Sequence, residues 1–270
     1  MKDYFKKELF DFNSKKLWLF DMDGTIYLGD KLFDGVLELL EKIEKNGGKY
    51  VFITNNSSKS VNDYVKKVNK MGIKADKDNF FTSSNATVMM LLEKYKNACI
   101  YAQGTASFIE ELKGAGLNIT TEYDENATCV VVGFDTEING EKLVNTSKTL
   151  TLNKVDYYAT NPDWVCPTEF GYIPDCGSMC QGYERATGKK PIFIGKPQPT
   201  MILKVMEKFG YSKEQTVVLG DRIYTDIASG VNAGVDTVLV LSGEATLKDY
   251  NESDKKPTFV LNHVNEFLKG

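Results

Sequence analysis

Histidine is almost missing from this chain, with one residue, His263, in 270. A histidine base or a multi-histidine metal centre therefore has almost nothing to draw on, and proton transfer falls to carboxylates. His263 itself reads as a surface or packing residue, because no nucleophile motif lies near it in sequence. The five cysteines, Cys99, Cys129, Cys166, Cys176 and Cys180, are odd in number and form no CxxC pair. That spacing fits neither a zinc site nor a disulfide framework, and it points to a reducing compartment.

Long apolar runs are also lacking, and none approaches the roughly 20 residues that a membrane helix needs. The first residues, MKDYFKKELFDFNSKK, are broken by charges and contain no apolar stretch of the secretory type. The sequence thus implies a cytoplasmic protein with no membrane partner. Net charge is −4, with basic residues interleaved among acidic ones. No long basic block is present to follow a phosphate backbone, so no nucleic-acid partner is expected. A small anionic ligand is compatible with one locally positive site.

What is present is an alternation of short apolar runs and amphipathic stretches. Leu17 to Phe20, Val36 to Lys45, Tyr50 to Ile53 and Val61 to Met71 open the chain in this rhythm, and Pro191 to Ile194 through Val235 to Leu241 repeat it near the other end. Such alternation implies β-α-β units in a parallel sheet. Both ends read as parts of one doubly wound, Rossmann-like α/β core. Between them, Ala98 to Tyr158 carries a second strand-helix series about as long as a small domain. Turn-rich segments at Thr82 to Asn85 and Pro174 to Ser178 suggest the junctions. The expected division is a first core part at 1–83, an inserted α/β cap at 84–181 and a second core part at 182–270.

Chemistry gathers where strands end. Asp21-Met22-Asp23-Gly24-Thr25 follows the first apolar run directly, and ligands of open α/β sheets collect beyond such carboxyl ends. Asp21 can attack phosphorus, and Asp23 can protonate the leaving oxygen and later deprotonate water. Gly24 permits a tight turn, and Thr25 offers a hydroxyl to steady the loop. Asp/Gly turns are common, so the pentapeptide needs company.

Three further strand ends supply it. Thr54-Asn55-Asn56-Ser57-Ser58 sets a hydroxyl and backbone N–H groups ahead of a helix, an arrangement suited to an anion. Lys196, in Gly195-Lys196-Pro197, can neutralise phosphoryl oxygens and hold the attacking carboxylate. Asp221, in Gly220-Asp221-Arg222-Ile223-Tyr224-Thr225-Asp226, joins Asp21 and the backbone carbonyl of Asp23 in an oxygen-rich set suited to Mg2+. Asp226 is placed just outside, ordering a metal-bound water or Lys196, or capping the following helix. The segment at Gly188-Lys189 fails as a nucleotide P-loop, because Tyr183 and Lys190 stand where a glycine and a hydroxyl are required.

DMDGT, ITNNSS, GKP and GDRIYTD, in that order, resemble the haloacid dehalogenase superfamily and look like its phosphatase members. The resemblance implies magnesium-dependent hydrolysis of a small phosphorylated metabolite through an aspartyl-phosphate on Asp21. Only 33 positions separate Asp21 from Thr54, whereas 142 separate Thr54 from Lys196. The cap therefore falls in the second gap, an arrangement similar to the NagD-like, 4-nitrophenylphosphatase-type branch. That likeness implies a possible homodimer through the cap, and cap residues Asp135, Asn161, Asp163 and Asp175 near the leaving group. Asp23 argues against a dehalogenase, which needs no acid two residues after the nucleophile. A phosphomutase, or a phospho-acceptor or sensor without turnover, shares Asp21 and stays open at this point.

Overall fold

The computed structural model describes residues 1–168 and 170–269. The chain divides into two compact units. One comprises residues 1–54, 64–81 and 196–270, and the other residues 55–63 and 82–195. Among the described residues no helix is long and apolar enough to cross a membrane.

The first unit is built on a six-stranded sheet in the order Phe259–Leu261, Asp236–Val240, Thr216–Gly220, Leu17–Phe20, Lys49–Thr54, Phe80–Thr82. Leu17–Phe20 pairs in parallel with Thr216–Gly220 on one side and Lys49–Thr54 on the other. Its four side chains, Leu17, Trp18, Leu19 and Phe20, are fully buried. An uninterrupted apolar run is what a strand covered on both faces requires, and each large side chain so buried contributes about 1.5–3 kcal/mol.

The covering layer is made by helices whose apolar residues repeat at helical spacing. In Val36–Lys45 the buried positions are Val36, Leu39, Leu40 and Ile43, a single stripe that turns its charged residues outward. The strand order runs outward in sequence on both sides of Leu17–Phe20, so the order of connection reverses between that strand and Thr216–Gly220. This reversal is the switch point where an open α/β sheet forms its crevice.

The second unit carries a five-stranded sheet in the order Ile192–Phe193, Asp156–Ala159, Ala127–Val132, Cys99–Gln103, Asn118–Thr120, with every neighbouring pair parallel. Tyr101, Val130, Val132, Phe134, Leu150 and Tyr157 form its core with Cys176, Cys180 and Tyr183 of helix Cys176–Thr187. Among the described residues no disulfide joins Cys99, Cys129, Cys166, Cys176 or Cys180. The molecule is thus an α/β protein with a doubly wound core and an inserted α/β cap.

The units differ from the expected division in three respects. Ile192–Phe193, read as part of the core sheet, pairs with Asp156–Ala159 in the cap. Alternation of strands and helices marks a short strand without saying which sheet it joins. Pro174 to Ser178, read as a junction, is the end of a strand and the start of helix Cys176–Thr187, which continues past position 181. That helix ends on Gly188 in the left-handed conformation (φ 73°), so the glycine of the failed P-loop is a helix cap. Finally, residues 55–63 belong to the second unit and leave the core sequence in a short excursion of their own.

Candidate active site

The first carboxylate arrives on backbone hydrogen bonds. Asp21 N–H donates to the Leu219 carbonyl at 2.8 Å, extending the pairing of the two switch-point strands by one residue. The chain then turns tightly, with the Thr25 and Ile26 N–H groups donating to the Met22 carbonyl and Gly24 N–H to that of Tyr27. Gly24 has φ +85°, and a Cβ there would lie 2.4 Å from Asp221 Oδ2. Both the conformation and the close approach exclude a side chain.

Lys196 is the centre of the cluster. Its Nζ donates at 2.6 Å to Asp21 Oδ1, at 2.6 Å to Asp226 Oδ1 and at 3.2 Å to the Ile53 carbonyl. The side chains of Lys196 and Asp226 are 2% and 1% exposed, whereas Asp21 keeps 15%. Asp21 is therefore the member of this ion-pair trio that a substrate can reach. Burial alone would lower the Lys196 pKa, but the charges on Asp21 and Asp226 outweigh it and hold the ammonium above its ordinary value.

Asp226 lies in the short π-helical turn Ile223–Ile227. Its Oδ2 accepts from Arg222 N–H at 3.0 Å while Oδ1 takes Lys196, so both oxygens are committed. Of the readings open to Asp226, the hydrogen bonds favour the anchor of Lys196. Asp221 is buried at the end of Thr216–Gly220. It accepts from Thr25 Oγ1 at 3.3 Å and from the Glu244 backbone N–H at 2.7 Å. Thr25 thus steadies a carboxylate as well as its own loop.

Oxygens of Asp21, Asp221 and Asp226 lie within 4.8 Å of one another. Burial and the neighbouring Asp226 charge push Asp21 well above the usual carboxylate range against the pull of Lys196. Burial and Asp226 also push Asp221 up to about 6, opposed by the Glu244 N–H. Three carboxylates against one ammonium leave an excess of negative charge, and every donor is a hard oxygen. That set fits a divalent magnesium ion.

Asp23 differs from the others in being exposed. It accepts from the Tyr27 hydroxyl at 3.2 Å. Tyr27 is fully buried, and burial together with the Asp23 charge raises its pKa, so it stays a donor. The sequence held no signal for Tyr27. Ser242, Gly243 and Glu244, which follow the strand Asp236–Val240, were missed as well, although a Ser-Gly pair after a strand end is a detectable sign of a tight loop.

Thr54 ends the strand Lys49–Thr54 and is buried. Asn55 opens the excursion into the second unit, where its Nδ2 donates to Asp163 Oδ2 at 2.8 Å. Asn56 Oδ1 accepts from the Ser58 N–H and hydroxyl, a local turn. The four cap residues singled out from sequence are all buried within the second unit. Asp135 forms an ion pair with Lys142 at 3.0 Å, and Asn161 Nδ2 donates to both Asp163 and Asp175. His263, outside all of this, stands beside the Phe33 ring at 6.1 Å.

Comparison with known proteins gives the family. The haloacid dehalogenase-like hydrolase family matches residues 18–118, and a second model, HAD-hydrolase-like, matches residues 193–267. An acid sugar phosphatase of Staphylococcus aureus is 34% identical over 253 residues, which span 94% of this chain and 96% of the relative. The chain belongs to the haloacid dehalogenase-like hydrolases.

Its place is among their NagD-like phosphatases. The crystal structure of a 4-nitrophenylphosphatase from Thermotoga maritima superposes with a TM-score of 0.89 at 38% identity, covering 96% of this chain and 98% of that one. A glycerol phosphate phosphatase from Mycobacterium tuberculosis, solved in complex with magnesium, gives a TM-score of 0.88 at 25% identity, over 94% of this chain and 76% of that one. The protein is a phosphatase of this type.

Proposed function

We propose that this phosphatase hydrolyses small phosphomonoesters with magnesium, through a phosphoryl group carried transiently on Asp21. The observation that carries the reading is the partly exposed Asp21 carboxylate, held by a buried Lys196 at 2.6 Å beside Asp221. A carboxylate so held is oriented for attack while the ammonium stands ready for phosphoryl charge.

In the first step an Asp21 oxygen attacks phosphorus, the bond from phosphorus to the leaving oxygen breaks, and Asp23 gives that oxygen its proton. In the second step water attacks the same phosphorus, Asp23 takes the water proton, and the bond to Asp21 breaks, releasing phosphate and restoring the Asp21 carboxylate and the protonated Asp23 that began the cycle. Exposure of Asp23 suits the acid-base role, because it has to meet both an alcohol and a water. The Tyr27 hydroxyl holds one of its oxygens during the exchange. Thr54, at the neighbouring strand end, is the proposed hydroxyl donor to the phosphoryl group, with the adjoining Asn55 N–H. Asp21, Asp221 and the Asp23 carbonyl would hold magnesium, which when bound supplies charge neutralisation for the phosphoryl oxygens.

Sugar phosphates are the first substrate class to test, because the Staphylococcus relative carries that name. With magnesium and 4-nitrophenyl phosphate, wild type should release nitrophenol, Asp21→Asn should release none, and Asp23→Asn should lose about 10²–10⁴ in kcat. Borohydride reduction of acid-quenched turnover mixtures should convert Asp21 to homoserine. Turnover that survives in Asp21→Asn would remove the covalent mechanism.

A further inference from the structure

The loop Ser242-Gly243-Glu244-Ala245 touches the site at several points. Glu244 N–H donates to Asp221 Oδ2 at 2.7 Å, and Ala245 N–H donates to the Asp221 carbonyl at 3.0 Å. Ser242 Oγ donates to the Gly24 carbonyl at 2.7 Å, which ties the same loop to the turn that follows Asp21 and Asp23. Glu244 Oε2 closes the arrangement by pairing with Arg222 Nε at 2.8 Å, on the residue next to Asp221. Gly243 lets the loop come this close, because a Cβ there would stand 2.0 Å from Asp221 Oδ2.

We propose that this loop is a positioning latch for the Asp221 carboxylate, and that it sets how tightly the site holds magnesium. The inference rests on the magnesium reading above and adds residues to it. A metal-binding carboxylate with free χ1 and χ2 loses rotamer entropy when the ion arrives. A backbone N–H on one oxygen and the Thr25 hydroxyl on the other remove that freedom beforehand.

The N–H of Glu244 can act only while the loop stays in place, and its position has two side-chain anchors. One is the Ser242 hydroxyl on Gly24, the other the Glu244 carboxylate on Arg222. Each anchor can be removed while the Glu244 backbone N–H remains, so the latch can be loosened without altering any proposed metal ligand. Ser242 and Glu244 are accordingly positioning residues.

The test is isothermal titration of the full-length protein with MgCl2, for wild type, Ser242→Ala, Ser242→Thr and Glu244→Gln. Loss of an outer partner of a metal ligand typically weakens binding 10–100-fold. With two anchors sharing the work, Ser242→Ala and Glu244→Gln should each raise the magnesium Kd about tenfold, whereas Ser242→Thr, which keeps the hydroxyl, should stay within about threefold of wild type. Urea unfolding in EDTA separates this from general damage, since a purely structural role would lower the midpoint and leave Kd in place.

If wild type binds magnesium and both loosened variants bind it equally well, the latch is refuted and the proposed reaction stands. If wild type shows no magnesium binding, the metal reading fails and the latch fails with it. Should Glu244→Gln not fold, the pair at Ser242 decides the matter alone.

Discussion

Replacing Lys196 by methionine should cost the protein stability before it costs anything else. The ammonium is 2% exposed and lies 2.6 Å from an oxygen of each of two carboxylates. Methionine nearly preserves the length and volume of the stem, so the packing loss is small and the electrostatic loss dominates. Removing one partner from a buried ion pair leaves the other charge uncompensated and typically costs about 3–5 kcal/mol. For a chain of this size about 1 kcal/mol moves the midpoint by roughly 2–4 °C, so Lys196→Met should melt roughly 6–20 °C below wild type in EDTA. The double variant Lys196→Met/Asp226→Asn removes one stranded charge together with its cation and should recover part of the loss. Thermal unfolding followed by circular dichroism measures both. A single variant within about 2 °C of wild type, or a double variant worse than the sum of the singles, would refute the account of Lys196 as the neutraliser of this cluster.

Other consequences are independent of that one. Gly243→Ala places a methyl 2.0 Å from Asp221 Oδ2, and the forced displacement should cost about 1–3 kcal/mol in urea unfolding along with most of the phosphatase activity. Asp221 is held up to about 6 when folded, above the roughly 3.9 of an unfolded aspartate. Its contribution is therefore fully present below about pH 4 and is lost as pH rises through about 6. That amounts to on the order of 2–3 kcal/mol in magnesium-free buffer, and the stability difference between wild type and Asp221→Asn, measured at several pH values, should shift by that amount in favour of the variant. Asp3 accepts from the N–H groups of Phe5, Lys7 and Val260. Asp3→Ala should cost about 1–3 kcal/mol with kcat unchanged, and an unaltered urea midpoint would show that these bonds contribute nothing.

Much of the candidate site is legible because strand ends carry a simple signature. Asp21, Thr54 and Asp221 each follow a run of apolar residues that only a buried strand explains, and the register Phe20↔Leu219 then brings Asp21 and Asp221 to neighbouring positions. Asp226 was harder, since a cap, a water ligand and a lysine anchor all use the same carboxylate. Only its two hydrogen bonds distinguish them. The cap residues show where sequence stops informing. Asp135 is a charge in a loop until Lys142 is seen at 3.0 Å, because an ion pair seven positions apart follows no local periodicity. Likewise, Ile192–Phe193 has the composition of a strand, but its partner is a matter of topology. The latch loop was invisible for a different reason. It contributes a backbone N–H and the absence of a Cβ, and neither is written in the chemistry of its side chains.

The charge at the site ties stability and function to the same residues. Unit charges about 4 Å apart repel by about 4 kcal/mol at the effective dielectric of a protein surface, and this cluster gathers three carboxylates within 4.8 Å. The fold offsets the repulsion with Lys196, with the N–H groups of Arg222 and Glu244, and with the Thr25 hydroxyl. Of these only Lys196 carries a full charge, and the Arg222 guanidinium that also acts on Asp221 is itself paired with Glu244, so an excess of negative charge remains. Asp226 is matched by its ion pair with Lys196, but a tidier core would exchange Asp221, which Lys196 does not reach, for a neutral residue and gain stability. That the sequence keeps both acids at the switch point, and spends close-packed glycines at 24, 220 and 243 to bring chain and carboxylates into contact, is intelligible if the excess charge is there to be met from outside. A divalent cation would meet it, and on the mechanism proposed above Asp21, the member of the trio that keeps 15% exposure, would then be the carboxylate that receives the phosphoryl group.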